Sequence, residues 1–498
     1  MSIGDATPTR GLRAHEIVRR GAEPPPLAAI TRLPWYPWLI VGITCIGAFI
    51  GQLDASIVQL ALPTLGTVFR ASLETVSWVA LAYLLAFAAF LPIFGRLCEM
   101  FGRKLLYLCG YLLFTLATLL CGFAPSLAWL IVFRVLQGIG GALLGANSIS
   151  ILVKATAADH RSRALGIFAA AQAVGVSLGP AVGGVLVGAY GWRFVFWVAV
   201  PFGVAAAILG WLALPQTTGL AQDKIFDWRG ALLLAPALVA LMLALNQASN
   251  WGLASPALLF CLAAFAVLIS LLVRHEHEFA SPLVDLHLFS APAFSCGAVG
   301  VVLGYALLYG MFFLMSFALV RGYHDPAALV GLRLAIVPVA LGIVAPFSGA
   351  LTDRLGPRAV SVAGMAICIA ALILLWLVAT ELRSSHPVFM AALALFGAGL
   401  GLFVAPNNSA TISAAPAALS GEAGALLNLM RVLGTSLGVV AASSMLSWRI
   451  QAATGAPTSA APVSGHALLG AVESGFTMLA LFALIAAAAS LVRSPRPA

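Results

Sequence analysis

Fourteen apolar blocks, most of roughly 17–25 residues, divide the chain and limit its fold more severely than anything else in it. They lie at about 38–63, 75–95, 105–124, 128–152, 164–188, 194–214, 231–247, 256–273, 293–320, 327–350, 360–379, 388–411, 423–446 and 473–492. A helix rises 1.5 Å per residue, so each block is about long enough to cross the ~30 Å of hydrocarbon in a bilayer. The chain is 62% hydrophobic and 9% charged, whereas soluble proteins carry about 25% charged residues. A soluble globular fold is excluded, and an all-α membrane protein is expected. The seventh and eighth blocks are the shortest, and without them twelve spans remain.

Charge placement gives the expected orientation. If the N-terminus is cytoplasmic and all fourteen blocks cross, eighteen of the 26 Lys and Arg fall on cytoplasmic segments, five outside and three within spans. This positive-inside bias accounts for the net charge of +9 without a nucleic-acid partner. Both termini are then cytoplasmic. Residues 1–37 are polar, arginine-rich and broken by Pro24–Pro26, and they lack the apolar core and cleavage site of a signal peptide. A disordered tail is expected there, and residues 493–498 form a short cytoplasmic C-terminus. The seven cysteines are scattered without pairing or metal spacing.

The chain also repeats itself. "GRLCEMFGRK" (Gly95 to Lys104) follows the second block and "GALTDRLGPR" (Gly349 to Arg358) the tenth, at an offset of 254. "QAVGVSLG" (Gln172 to Gly179) in the fifth block matches "RVLGTSLG" (Arg431 to Gly438) in the thirteenth, at an offset of 259. Two matches at nearly one offset imply two homologous six-helix bundles, residues 38–214 and 293–492, with a linker at 215–292 that contributes two inserted helices. Such repeats are the architecture of secondary transporters, whose binding site lies between the halves.

Charges inside the blocks mark candidate function, because an unpaired buried charge is costly. Asp54 lies in the first block and Arg134 in the fourth. With the outer boundary at Pro63 and Ala128, Asp54 lies roughly 13 Å and Arg134 roughly 10 Å deep, so the two are expected to pair. Protonating the acid would release the arginine. A purely structural salt bridge fits the same observation. The residue at the repeat position of Arg134 is Leu393, so the charge machinery is one-sided. Arg431 lies deep in the thirteenth block and Glu422 at its inner end. Gln137, Asn147, Gln172, Asn407 and Asn428 are candidates to line a cavity, and each is equally suited to an inter-helix hydrogen bond.

Two glycine-rich segments add mechanics. In Gly95–Lys104, Gly95 and Gly102 permit a tight turn and close helix approach, while Glu99, Arg103 and Lys104 offer a breakable ion-pair cluster. Gly349, Asp353, Arg354, Gly356 and Arg358 repeat the pattern. A solvated basic loop would read the same way. In "GVSLGPAVGG", Pro180 removes a helix hydrogen bond, and Gly175, Gly179, Gly183 and Gly184 leave a face free of side chains. A kinked helix packed tightly on a neighbour is expected.

These segments, with "LDASIVQLALP", "RVLQGIGGA", "GWRFVFWVAVPFG", "PLVDLHLF" and "NLMRVLGTSLG" in order, resemble the major facilitator superfamily. The resemblance is nearest to its fourteen-spanner drug:proton antiporters of the EmrB/QacA type and covers roughly residues 38–450. It implies a multi-pass protein of the bacterial inner membrane that exports lipophilic, cationic drugs or toxic compounds in exchange for protons. It assigns the two loops to the inner gate and the fifth-block glycines to an antiporter signature, and the buried pair Asp54 and Arg134 is expected to couple the proton. The partners are the lipid bilayer, small molecules and protons, and a periplasmic adaptor protein stays open. No cofactor is implied, because the proton gradient drives the cycle. The same fold exporting one metabolite is the alternative. A membrane enzyme or sensor is disfavoured, for the sequence has no Walker loop, HExxH or nucleophile elbow. "HEHE" (His275 to Glu278) is expected to be a solvated run in the loop after the eighth block, with no metal site.

Overall fold

A computed structural model of the chain describes residue 23 and residues 25–157, 160–217, 227–252, 255–279, 286–379, 386–416, 420–454 and 465–492. Among these, thirteen helices are long and apolar enough to cross a membrane. They are α1 Tyr36–Val68, α2 Leu73–Phe101, α3 Arg103–Phe123, α4 Leu127–Ala155, α5 Arg161–Ala189, α6 Val200–Ala213 with its preceding turn Phe194–Trp197, and α7 Trp228–Trp251. There follow α8 Pro256–Glu278, α9 Pro292–Phe317, α10 Ala327–Val378, α11 Pro387–Ser413, α12 Ser420–Thr454 and α13 Gly465–Val492. The 52-residue α10 is broken at Gly356, where φ is 82°, a backbone conformation that glycine adopts without steric cost. Its two arms, 327–355 and 357–378, bring the apolar segments to the number of blocks in the sequence.

Helix ends differ from the block ends for local reasons. α1 continues five residues past Pro63, where Arg321, in the π-helical turn Ala318–Gly322 that follows α9, donates to the Pro63 carbonyl at 3.1 Å. α2 and α4 begin where Ser72 and Ser126 accept from the N–H groups of Thr75 and Trp129. α3 begins after Gly102, which has no capping side chain. Its orphan N–H groups find other acceptors: Arg103 donates to Thr217 Oγ1 at 2.7 Å and Leu105 to Glu23 Oε1 at 3.3 Å.

That last contact corrects the expected tail boundary. Residues before 38 were expected to be disordered, yet Glu23 receives Thr217 N–H at 2.6 Å, Ala28–Thr31 is a helical turn, and Leu27 N–H donates to Leu212 O. The segment docks because it supplies acceptors that α3 lacks. A second correction concerns "HEHE". It forms the last turn of α8 instead of a loop, and only His277, Glu278 and their flank Arg274 face out. Glu276 is buried, and His275 lies 2.7 Å from the buried Asp227 carboxylate.

The two halves pack alike. Cβ atoms added at Gly175 and Gly179 of α5 would overlap Phe49 O and Ser56 of α1. Cβ atoms at Gly434 and Gly438 of α12 would overlap Val302 and Ala306 of α9 in the same way. Gly140 against Phe114 and Gly399 against Cys368 repeat the relation between α4 and α3 and between α11 and the second arm of α10. Small residues let backbones touch where there is no hydrophobic drive between helices. The halves meet through α5 on α10, α2 on α12 and α1 on α9. α7 lies across the α2–α12 seam, with Asn246 donating to Ser77 Oγ and Ser444 donating to Leu245 O, both at 3.0 Å. Large apolar side chains point outward all round: Leu232 is 74% exposed and Phe260 73%. Such a coat suits lipid and would drive aggregation in water.

Candidate functional site

Asp54 and Arg134 are brought together at the centre of the first half. Arg134 Nη1 lies 2.6 Å from Asp54 Oδ2, and the residues are 1% and 2% exposed. Gln137, one turn on from Arg134 and on the same face of α4, donates to Asp54 Oδ1 at 2.8 Å and also to Thr118 Oγ1 at 2.8 Å. Its own oxygen accepts from Arg134 Nη1 at 2.6 Å, and Arg134 Nε donates to Val79 O at 2.7 Å. Each carboxylate oxygen therefore has a donor, which makes a buried charge tolerable. The pair meets although α1 overshoots: Asp54 lies about 21 Å from the Val68 end of its helix, and Arg134 about 10 Å from Leu127. Equal depth below the helix ends is not why they touch.

A cavity of about 300 Å³ lies beside this pair, between the halves. Its walls come from α1 (Gly51, Gln52), α2 (Tyr83, Phe87), α4 (Gly141, Ser148), α5 (Phe168, Gln172), α9 (Tyr305, Tyr309), α11 (Asn408) and α12 (Asn428, Arg431). Lining residues Ile149, Leu165 and Ile412 lie toward the end of the bundle that carries the basic loops, and each is exposed. At the opposite end the halves are closed: a Cβ at Gly184 of α5 would overlap Ala327 O and Gly331 of α10, and one at Gly331 would overlap Pro180 O. The structure is thus open toward the basic end.

Neither Asp54 nor Arg134 lines the cavity. Tyr83 stands between, one face on the cavity and its ring centroid 4.4 Å from Arg134 Cζ. Of the cavity candidates, Gln172, Asn428 and Arg431 line it, and Arg431 Nη2 donates to Asn428 Oδ1 at 2.5 Å. Gln137, Asn147 and Asn407 lie off the wall. Gln137 belongs to the charge network, Asn147 donates to Cys98 Sγ and Leu143 O, and Asn407 donates to Gly297 O. The Glu422 and Glu99 positions are helical, and their side chains lie outside the described residues.

The gate loops are arranged differently from the sequence expectation. A Cβ at Gly95 or Gly349 meets nothing within 4 Å, so close approach is not their role in this state. Glycine is required instead at Gly102 (φ 108°) and Gly356 (φ 82°), where the chain turns between helices. Lys104 is buried and donates to Leu214 O at 2.7 Å, whereas Asp353, Arg354 and Arg358 are exposed. The antiporter-signature glycines divide between two neighbours: Gly175, Gly179 and Gly183 face α1, and Gly184 faces α10. Pro180 lies within a continuous α5.

Sequence reasoning passed over Gln52, Tyr83, Tyr305, Tyr309 and Thr118. Gln52 carried a usable signal, a polar residue two positions before Asp54 in an apolar run. The tyrosines gave none, since an aromatic residue in a membrane helix is usually packing or an interfacial anchor.

This arrangement, two pseudo-equivalent halves around a cavity open at one end, agrees with comparison to known proteins. Residues 44–439 match the family described as Major Facilitator Superfamily, and residues 298–498 match it again. The chain belongs to the major facilitator superfamily. Among superfamily relatives, it is 31% identical over 413 residues to the "Riboflavin transporter RibZ" of Clostridioides difficile, covering 82% of this chain and 88% of that protein. It is 33% identical to the "Multidrug resistance protein Stp" of Mycobacterium tuberculosis, covering 81% and 75%. It is 31% identical to the "Tetracenomycin C resistance and export protein" of Streptomyces glaucescens, covering 86% and 79%. The superfamily fold is shared with a bacterial homologue of the lysosomal transporter Spinster, at TM-score 0.66, 17% identity and coverage of 93% and 99%. It is shared also with a D-xylose–proton symporter, at TM-score 0.62, 16% identity and coverage of 91% and 97%.

Proposed function

We propose that this chain is a proton-coupled antiporter that exports lipophilic compounds from the cytoplasm, in the fourteen-spanner drug:proton branch of the superfamily. The observation that carries this reading is Tyr83, a single side chain shared by the cavity wall and the buried charge pair. Protonation of Asp54 removes the counter-charge of Arg134 and one acceptor of Gln137. The guanidinium, left with Val79 O and Gln137, then shifts against the Tyr83 ring and alters the cavity wall. Cargo entering the cavity presses on the same ring from the other side. Proton and cargo thereby compete through Tyr83 without sharing a site.

In this reading residues 38–214 and 293–492 are the two bundles, 215–292 carries the inserted pair, and both termini lie in the cytoplasm of a bacterial cell. The basic end is then cytoplasmic, and the structure is the inward-facing state, ready to load cargo. The names of relatives support export of drugs. The similarity to a tetracenomycin export protein favours, as a second reading, export of one metabolite by the same mechanism, and the riboflavin transporter is a relative named for a single compound. The cationic cargo implied by the sequence resemblance finds no carboxylate among the described lining residues.

The experiment is substrate-induced proton release. Purified protein in weakly buffered detergent is mixed with a panel of lipophilic compounds while pH is followed. Release is expected in the wild type and lost in Asp54→Asn. Equal release from both proteins would place the proton carrier elsewhere.

A further inference from the structure

The cavity holds one formal charge among its described lining residues, and that charge is positive. Arg431 reaches in from α12, donating to Asn428 Oδ1, while the Gln52 amide faces its guanidinium from α1. Both neighbours are neutral amides. The Tyr305 ring lies 6.0 Å from Arg431 Cζ. Among the described residues no carboxylate comes within ion-pair distance of Arg431. Asp54 is not available to it, because both carboxylate oxygens are held by Arg134 and Gln137 behind Tyr83.

An uncompensated guanidinium in an apolar pocket repels a cation at short range and forms charge-assisted hydrogen bonds with an anion. Its fork geometry suits a carboxylate or phenolate, and Gln52 and Asn428 add amide groups beside it. Tyr83, Phe87, Phe114, Phe168 and Tyr309 give the largely apolar wall five aromatic rings, which suit a flat cargo. We infer that the cavity selects planar aromatic monoanions, aromatic carboxylates or phenolates, over cations of the same shape. The inference rests on reading this cavity as the cargo site. It has an energetic consequence. One proton entering for each monoanion leaving moves two positive-charge equivalents inward, so the exchange responds to membrane potential, whereas proton-for-monocation exchange does not.

The test uses three anthracene probes of matched shape near neutral pH: anthracenecarboxylate, anthracenemethanol and aminomethylanthracene. Binding to the purified full-length protein is read from probe fluorescence. The wild type is expected to bind the carboxylate about tenfold to a hundredfold more tightly than the amine, the range a hydrogen bond to a charged group supplies. Arg431→Gln is expected to bring the two within about threefold, and Arg431→Lys to keep the order with a smaller gap. Equal or tighter binding of the amine by the wild type overturns the inference without recourse to a variant, and so does an unchanged preference in Arg431→Gln. Proteoliposomes carrying a pH gradient, with and without a valinomycin-set potential, separate the two readings. If the amine is bound best and pumped, the charge selectivity falls and the exporter stands. If the carboxylate is bound best and none of the probes follows the proton gradient, the selectivity stands and the exporter falls.

Discussion

Asp54 is held by two residues one turn apart on the same helix, so its protonation disturbs both at once. In Asp54→Asn the amide oxygen still accepts from Arg134, but the new NH₂ meets the Gln137 NH₂ donor. The fold is expected to survive, and proton-driven efflux to fall to background in a vesicle transport assay. Arg134→Ala should be worse for stability. It leaves a buried carboxylate unpaired, a loss of about 3–5 kcal/mol for a buried pair, visible as a lower unfolding temperature. Arg134→Lys keeps the charge but cannot span Val79 O, Gln137 and Asp54 together, so an intermediate melting point is expected. Tyr83→Ala tests the partition itself. Cargo should still bind within a few-fold of wild type while cargo-induced proton release disappears. Full proton release in Tyr83→Ala would show that coupling runs by another route.

At the scale of the helix, glycines matter where a second backbone occupies the space of their absent Cβ. Gly331 on α10 touches Pro180 O of α5 at the closed end, and overpacking there costs about 1–3 kcal/mol. Gly331→Val should therefore open the closed end and raise labelling of cysteines placed along α5 from that side. Gly349→Ala, on the same helix and with nothing within 4 Å, should leave labelling and stability unchanged. Gly356→Ala is a different case, since only its backbone angles (φ 82°, ψ 154°) forbid a side chain, at roughly 1–3 kcal/mol. A smaller effect of Gly331→Val than of Gly349→Ala would remove the close α5–α10 contact from any role in closure. α7 spans α2 and α12, so it ties together elements that the proposed exchange cycle requires to move relative to each other.

Across the whole molecule, the proposed exchange cycle requires the closed end to open in every turnover. A Cβ at Gly188 lies 3.8 Å from Ala327 Cβ, the separation typical of a disulfide. With the native cysteines replaced, Gly188→Cys with Ala327→Cys should cross-link under mild oxidation, halt efflux, and recover on reduction. Continued efflux in the cross-linked protein would show that this end need not open. Orientation is tested by labelling. A cysteine at the exposed Gln216 should react only from the cytoplasm and one at Ala453 only from outside, and labelling of both from one side would break the fourteen-span arrangement.

Features that depend on local composition or spacing are legible in the order of residues alone. The apolar blocks fixed helical spans, because a backbone in lipid must satisfy its own hydrogen bonds. The repeat offset of 259 already marked glycines that make equivalent contacts in each half, and the offset of 254 marked the glycines at equivalent turns, Gly102 and Gly356. Asp54 and Arg134 stood out because charge is rare in such blocks, so each needed a partner. Which side chains share a wall emerges from the packing of the helices. Gln137 reads as a cavity residue until α3 and α1 place Thr118 and Asp54 beside it, and Asn147 and Asn407 read the same way until neighbouring helices take their amides. Helix rotation and tilt set these outcomes, and both come from close packing against other helices, which periodicity in an almost uniformly apolar segment does not record. Tyr83 shows the limit most plainly: nothing around it in the chain distinguishes it, and its position between a charge pair and a cavity exists only once the helices that build both have met.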